Sequence, residues 1–322
     1  MEGGWPYMKF CQSMLNETVG LLKGEQLKYR DSILIGENAV GKSEALKGFI
    51  EESERVLYFI DAVNRCFDVK AVKPLGEEVI YKEEIVRTRM REDNFNLKDT
   101  WAYYGTATEC IELIYLQFKE ELQVLLRECV GVGFTIYLPE TQEVKYDSGD
   151  VGRLSSGYQA VIRILLELLY FQKVNPVGTG NKRPVVIVDE IDEYLSPSNA
   201  INLYRCIKRN FSDMDLVLTT HSAEVIATAS DSNILIMHDT NVEVLDANDF
   251  STIDDAMNIF KDIFDISAKE NGDTEYESLL RKLFNNRIAG IWGENEIAGY
   301  ESISEDQLTT AQKLLYRQIG EW

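Results

Sequence analysis

The chain has 322 residues, of which 45% are hydrophobic, and a formal net charge of −21 from 33 Lys and Arg against 54 Asp and Glu. This hydrophobic content excludes a disordered chain, and the acidic balance argues against a surface that wraps nucleic acid, because phosphate binding needs clustered Lys and Arg. Only two histidines and five cysteines are present, and no two cysteines are spaced as C-x-x-C, so the sequence offers no zinc site. An odd number of scattered cysteines is typical of a reducing cytosol.

Two further features of the sequence bear on location and solvation. No apolar run approaches the roughly 18 uncharged residues of a membrane span, and the N-terminus lacks the basic segment and apolar stretch of a signal peptide. We therefore expect a cytoplasmic protein with no membrane partner. Residues 239–322 carry 18 Asp and Glu against 7 Lys and Arg, a net charge of −11, so this tail is expected to be well solvated.

The N-terminal part of the sequence predicts alternating helices and strands. A short helix is predicted over residues 14–22 and a strand over residues 32–35, which stops at a glycine. After Ser43, apolar residues recur at helical spacing through Ile50. Residues 56–60 are apolar, aromatic and β-branched, which is typical of a buried parallel strand. The pattern favours an α/β fold.

The rest of the chain continues this pattern. Long helices are predicted over residues 106–129 and 156–172, with a hairpin between them over residues 133–146. Buried strands are predicted over residues 185–188, 216–219 and 234–237, with a helix over residues 199–208 after the first of them. The remainder is expected to be mainly helical, with the best candidates at residues 253–264, 276–284 and 306–319.

Residues 36–43 form a candidate phosphate-binding loop. Their sequence, GENAVGKS, fits G-x-x-x-x-G-K-[ST] after a predicted strand and before a predicted helix. The glycines let backbone N–H groups point at a phosphate, Lys42 reaches the β- and γ-phosphates, and Ser43 offers a hydroxyl to Mg²⁺. A glycine-bearing turn with a surface lysine is the alternative. The predicted nucleotide-contacting residues are Gly36, Glu37, Asn38, Ala39, Val40, Gly41, Lys42, Ser43 and Glu44.

Two carboxylates follow the most apolar predicted strand. Asp189 is predicted to hold Mg²⁺ opposite the phosphate loop, and Glu190 is predicted to accept a proton from water that attacks the γ-phosphate. An exposed acidic strand end, which is common in α/β folds, is the alternative.

The order of these segments resembles one protein family. Residues 36–43 (GENAVGKS), 154–159 (LSSGYQ), 185–198 (VVIVDEIDEYLSPS) and 218–222 (LTTHS) are similar to the phosphate loop, signature, acidic strand and histidine switch of the ABC-type ATPases. The similarity is greatest to the soluble branch that contains SMC, RecF and the OLD-like ATPases. It implies a P-loop NTPase fold with a mostly parallel sheet flanked by helices, a helical lobe that carries the signature, ATP and Mg²⁺ as ligands, and pairing of two heads.

The resemblance also implies roles for particular residues. Ser155, Ser156 and Gly157 of one subunit would contact the γ-phosphate bound by the other, and Ser196 to Ser198 match the stretch that couples the two sites. His221 matches the switch histidine that contacts the γ-phosphate and orients water. The sequence departs from the family at two signature positions: Ser156 stands where many members have Gly, and Tyr158 where most have Gln or Glu.

Two parts of the family pattern are poorly matched. Asn64 is the candidate for the metal-contacting glutamine that follows the strand after the first helix. Tyr29 is a candidate for the aromatic residue that stacks on adenine, although a core aromatic is the alternative.

The predicted organisation is an ATPase domain over residues 1–245, with a helical and hairpin insertion at about 66–150, and a helical extension over residues 246–322. The leading hypothesis is an ATP-hydrolysing regulator that forms a homodimer or a higher even oligomer and controls a protein effector, a nuclease or toxin encoded nearby, in antiviral defence. The acidic extension is the expected docking surface for that effector.

Two alternatives stay open. A DNA-repair clamp of the RecF or SMC type would need a basic surface, for which Arg87, Arg89 and Arg91 are the compact candidate, although the overall charge does not favour DNA. A transporter ATPase subunit is the other alternative, but it usually has a Leu-Asp pair where this chain reads Leu195-Ser196.

Overall fold

Runs of β-branched and aliphatic residues alternate with amphipathic helices along most of this computed structural model. The structure describes residues 11–24, 26–61, 67–73, 86, 111–137, 143–175, 183–250, 252, 256–257, 279–280, 283, 292–303, 316 and 319–320. They belong to two compact units, Met1–Met257 and Asn258–Trp322. The boundary predicted between residues 245 and 246 stays a prediction.

The described helices and strands have the following bounds in chain order. They are α1 (Gln12–Lys23), β1 (Asp31–Gly36), α2 (Lys42–Glu52), β2 (Leu57–Asp61), α3 (Tyr115–Val130), β3 (Phe134–Ile136), β4 (Val144–Tyr146), β5 (Val151–Gly152), α4 (Ser156–Val174), β6 (Val185–Asp189), α5 (Pro197–Asn210), β7 (Asp215–Thr219), α6 (Ala223–Thr228), β8 (Ser232–Met237), β9 (Val242–Asp246) and α7 (Glu294–Glu301).

Six strands form one sheet in the order β2-β6-β7-β1-β8-β9. The first five strands run parallel to one another, and β9 pairs antiparallel with β8 at the edge of the sheet. The predicted mostly parallel sheet flanked by helices is therefore confirmed. Because β7 lies between β1 and β6, the residues after β7 emerge between those after β1 and those after β6.

Helix α4 is the most deeply buried helix of the described chain. Every residue from Ala160 to Phe171 is buried, so this helix is surrounded by other elements instead of presenting one stripe to the core. It holds a buried ion pair, in which Nε of Arg163 donates to Oε1 of Glu167 at 2.8 Å. The N-terminus of α4 carries the predicted signature.

A second, three-stranded antiparallel sheet in the order β3-β4-β5 precedes α4. The predicted hairpin strands are present as β3 and β4, while residues 139–141 of its turn lie outside the described residues. Strand β5, which pairs with β4 after the turn at residues 147–150, was not predicted.

In the second unit, Leu280, Leu283, Ile303 and Ile319 form a small hydrophobic cluster. The rings of Tyr300 and Tyr316 stack beside it with centroids 4.3 Å apart. Helix α7 was not predicted, and the predicted helices at 253–264, 276–284 and 306–319 lie mostly outside the described residues. None of the helices that the structure describes could cross a membrane.

Candidate functional site

The predicted phosphate-binding loop forms the turn between β1 and α2. Gly41 has φ 108° and Ala39 has φ 65°, both in the left-handed region. Gly36 approaches the neighbouring strand so closely that a Cβ atom there would lie 2.6 Å from the carbonyl oxygen of Met237. Only glycine fits at this position, which explains the first glycine of the motif.

Lys42 is the first residue of α2 and is buried against this loop. Its Nζ atom donates hydrogen bonds to the carbonyl oxygens of Gly36 at 3.0 Å and Glu37 at 2.9 Å. Burial lowers the pKa of the Lys42 ammonium, whereas the carboxylates of Asp189 and Glu190 oppose this shift. The ammonium is thus held over the turn, between the loop carbonyls and the acidic end of β6.

Asp189, the last residue of β6, joins three parts of the site. Its Oδ2 accepts a hydrogen bond of 2.9 Å from the Ser43 hydroxyl, and its Oδ1 accepts one of 2.6 Å from the Thr219 hydroxyl. Ser43 and Asp189 thus present a hydroxyl and a carboxylate side by side. Such hard oxygen ligands suit Mg²⁺, so the two residues fit the metal role predicted for them.

Glu190 follows Asp189 in a strained conformation. Its φ is 56°, which is uncommon for a residue other than glycine, and its N–H donates to Thr219 Oγ1 at 2.7 Å. Burial raises the pKa of the Glu190 carboxyl, and the adjacent Asp189 carboxylate raises it further. A half-buried carboxylate with a raised pKa is a better proton acceptor than a solvated one.

Thr219, at the end of β7, is a site residue that sequence reasoning missed. Its hydroxyl donates to Asp189 and accepts from the Glu190 N–H, so it fixes the Asp189 carboxylate and the Glu190 backbone relative to the sheet. Its place two residues before His221, at the end of a predicted strand, was the signal that could have identified it.

His221 lies two residues after β7 and is half-buried. Burial and the positive charge of Lys42 lower the pKa of the His221 imidazole, whereas Asp192 and Asp189 raise it. Lys42 of the phosphate loop is thus one of the charged groups that act on His221.

The signature residues lie at the N-terminus of α4. Ser155 caps the helix by accepting a hydrogen bond from the N–H of Tyr158 at 3.2 Å, and the Ser155 and Ser156 side chains are exposed. Within the described part of the chain, no hydrogen bond joins Ser155, Ser156 or Gly157 to the phosphate loop.

Tyr158 anchors this helix to the three-stranded sheet. Its hydroxyl donates to the carbonyl oxygen of Val132, and its ring packs edge-on against Phe134 and Tyr146 with centroids 6.0 and 6.1 Å apart. Tyr158 stands where most ABC-type ATPases have Gln or Glu. The structure gives a reason for this difference, because the aromatic side chain fills the space between α4 and the three-stranded sheet.

The turn after β6 contacts the signature. A Cβ atom at Gly157 would lie 2.9 Å from the carbonyl oxygen of Tyr194, which has φ 63° in this turn. Ser196 then caps α5 by accepting from the N–H of Asn199 at 3.4 Å, and Pro197 occupies the first turn of the helix.

The remaining predicted residues are placed as follows. Tyr29 precedes the amino end of β1, opposite the phosphate loop, and its hydroxyl donates to Asp246 Oδ2 at 3.1 Å. Asn64 lies outside the described residues, as do Arg87, Arg89 and Arg91. The last described residue of β2 before Asn64 is Asp61, which pairs in register with Asp189.

Residues 117–227, which include the signature, both carboxylates and His221, match the family described as "AAA domain, putative AbiEii toxin, Type IV TA system". The protein is thus similar to proteins with this AAA domain over about a third of its length. It is similar to the "Retron Ec83 probable ATPase" of Escherichia coli, with 33% identity over 92 residues that cover 26% of this chain and 16% of that relative.

Two solved structures give weak likenesses to this chain. The first is an SMC head domain from Thermotoga maritima. It has 18% identity and a TM-score of 0.31, and the match covers 41% of this chain and 48% of that one. The second comes from work on ATP-driven dimerization and DNA-stimulated activation of SMC ATPases. It has 19% identity and a TM-score of 0.34, and the match covers 48% of this chain and 96% of that one. Likenesses of this size carry no argument about the site.

The contact between Gly157 and the turn after β6 generates a prediction. We expect Gly157→Ala to lower the free energy of unfolding by about 1–3 kcal/mol, because the new methyl group meets backbone that cannot rotate away. Gly20→Ala is the control: it lies in α1 with nothing within 4 Å of the added Cβ, so it should stabilise by about 0.5–1 kcal/mol. Urea unfolding measures both, and wild-type stability of Gly157→Ala would contradict the contact.

Proposed function

We propose that this ATPase binds Mg²⁺-ATP between its phosphate loop and Asp189, hydrolyses it, and uses ATP-driven pairing of two heads to control a protein effector. The observation that carries the proposal is the Asp189 carboxylate, which accepts hydrogen bonds from Ser43 of the phosphate loop and Thr219 of β7. A carboxylate and a serine hydroxyl in contact are the two side-chain ligands that P-loop NTPases use for Mg²⁺.

Each residue then has a defined task. The loop N–H groups and Lys42 bind the β- and γ-phosphates, and Ser43 and Asp189 hold the Mg²⁺ ion, which neutralises charge on the phosphates when bound. Glu190 accepts the proton of the attacking water, for which its raised pKa and fixed backbone suit it. His221 orients that water and contacts the γ-phosphate.

The signature supplies the argument for pairing. Ser155 and Ser156 expose hydroxyl groups at the N-terminus of a 19-residue helix, where N–H groups and the helix dipole favour an anion. Their hydrogen bonds within this chain leave them facing solvent, so a second copy is the natural source of the γ-phosphate that they would contact.

The names of the relatives support a defence role. The description of the matched family names a toxin of a toxin–antitoxin system. The relative from Escherichia coli is named as a probable ATPase of a retron. We propose that this chain is likewise the ATPase component of a defence system and that a nuclease or toxin is its effector. We propose that the acidic residues 246–322 form the docking surface for that effector.

The first prediction concerns hydrolysis. Glu190→Gln removes the proton acceptor but leaves the nucleotide contacts, so we expect ATP to bind with wild-type affinity while turnover falls by at least about 100-fold. The stalled nucleotide should hold two copies together, which light scattering detects as an ATP-dependent dimer. Wild-type turnover by Glu190→Gln would contradict the assignment.

The same stalled dimer tests the effector. Purified with and without ATP alongside the product of the neighbouring gene, it should retain that product in one of the two states. If the neighbouring protein binds neither state, the regulatory part of the proposal loses its support while the hydrolytic part stands.

The second prediction concerns the signature. In the Glu190→Gln background, Ser155→Arg should leave ATP binding intact but abolish the ATP-dependent dimer, because the bulky cation blocks approach of the partner's nucleotide. Ser13→Arg, the same change at an exposed serine on α1, is the matched control and should still dimerise. A full yield of dimer from the Ser155→Arg variant would refute the role of the signature in pairing.

A further inference from the structure

The turn between β6 and α5 places a third carboxylate, Asp192, beside the site. The turn is closed by hydrogen bonds from the N–H of Glu193 to the carbonyl oxygen of Glu190 at 3.1 Å and from the N–H of Leu195 to that of Asp192 at 3.0 Å. The N–H of Ile191 also donates to the carbonyl oxygen of Thr219 at 3.2 Å, which ties the turn to the end of β7. The backbone of Asp192 is therefore fixed relative to both strands.

The Asp192 side chain binds the segment that carries His221. Its Oδ1 accepts a hydrogen bond of 2.6 Å from the Thr220 hydroxyl, and Oδ1 and Oδ2 lie 3.3 and 3.2 Å from the donating N–H of His221. Thr220 Oγ1 in turn accepts from the N–H of Ser222 at 3.0 Å. One carboxylate thus fixes three successive residues, because each of them is bonded to it directly or through Thr220.

This contact differs from the contacts that build the metal site. Asp189 binds Ser43 and Thr219, whereas Asp192 binds Thr220 and the backbone of His221. The bond from the Thr220 hydroxyl, at 2.6 Å, has the short length of a hydrogen bond to a carboxylate, and it holds the segment between β7 and the six-residue helix α6. The hydrogen bonds of Asp192 thus act on the segment that carries His221.

We propose that Asp192 is the positioning residue for His221, which it holds in place for the γ-phosphate of bound ATP. The inference rests on the proposed ATP hydrolysis, and nothing in the family match assigns this role. Asp192 touches neither the phosphate loop nor the metal-binding pair in the described hydrogen bonds. Its removal should therefore affect turnover and leave nucleotide affinity nearly unchanged.

The kinetic test compares Asp192→Ala, His221→Ala and the double variant. We expect Asp192→Ala to lower kcat about 10- to 100-fold, the effect of losing a hydrogen-bonded charge, with KM for ATP within about twofold of wild type. The double variant should be no slower than His221→Ala alone, because both changes remove the same function. Losses that multiply in the double variant would mean that Asp192 acts independently of His221 and would overturn the proposal.

A graded series separates positioning from folding. Asp192→Asn keeps one acceptor oxygen and should retain more turnover than Asp192→Ala. Thr220→Val removes the hydroxyl donor at similar volume and should resemble Asp192→Ala, whereas Thr220→Ser keeps the donor and should retain most turnover. Asp239→Asn is the control. It removes one negative charge at an exposed residue before β9 and should have wild-type kcat.

A second readout does not depend on ATP hydrolysis. The chain has only two histidines, so NMR of the imidazole rings can follow His221 with His238 as an internal reference. The charged groups that act on His221 are Lys42 of α2, Asp189 of β6 and Asp192 of the turn, and of these Asp192 opposes the lowering of its pKa. Asp192→Ala should therefore shift the His221 signals and move their titration to lower pH, with those of His238 unchanged.

The two readouts distinguish the possible failures. Absence of ATP turnover in the wild-type protein would contradict the proposed function. The NMR comparison would still report whether Asp192 holds His221 in place. Identical His221 signals in wild type and Asp192→Ala would overturn the positioning role, whatever the rate of hydrolysis.

Discussion

The rest of the site depends on the two hydrogen bonds that the Asp189 carboxylate accepts. One oxygen accepts from Ser43 and the other from Thr219, so one side chain joins the last residue of the phosphate loop, the end of β6 and the end of β7. In the sheet, β7 lies between β1 and β6, so Thr219 at the end of β7 lies between the ends of those two strands. The same arrangement brings Thr219 to the N–H of Glu190 and places His221 within the influence of Lys42.

Most of the sheet could be predicted from the sequence because its central strands are short apolar runs. The runs predicted at residues 32–35, 185–188, 216–219 and 234–237 correspond to β1, β6, β7 and β8 within two residues. Strand β9 was missed because it is a partly exposed edge strand, defined by its pairing with β8 and not by burial. Helix α6 was missed because six residues are too few to show a helical period.

Apart from what the family resemblance implies, the site could be predicted only where its residues form a local sequence pattern. The phosphate loop and the Asp189-Glu190 pair are local patterns, and the structure places Lys42, Ser43 and Asp189 together. Thr219 and Asp192 were missed because their contacts join residues about 30 positions apart, and the sequence does not reveal that register. The reason for Tyr158 was likewise hidden, since it depends on the packing of α4 against the small sheet.

The most direct measurement is the rate of phosphate release from ATP by the purified wild-type protein and by Asp189→Asn, each with and without Mg²⁺. We predict Mg²⁺-dependent release by the wild type and its loss in the variant, because an amide would not replace the carboxylate proposed to hold Mg²⁺ beside Ser43. Equal, Mg²⁺-dependent turnover by both proteins would contradict the central place of Asp189.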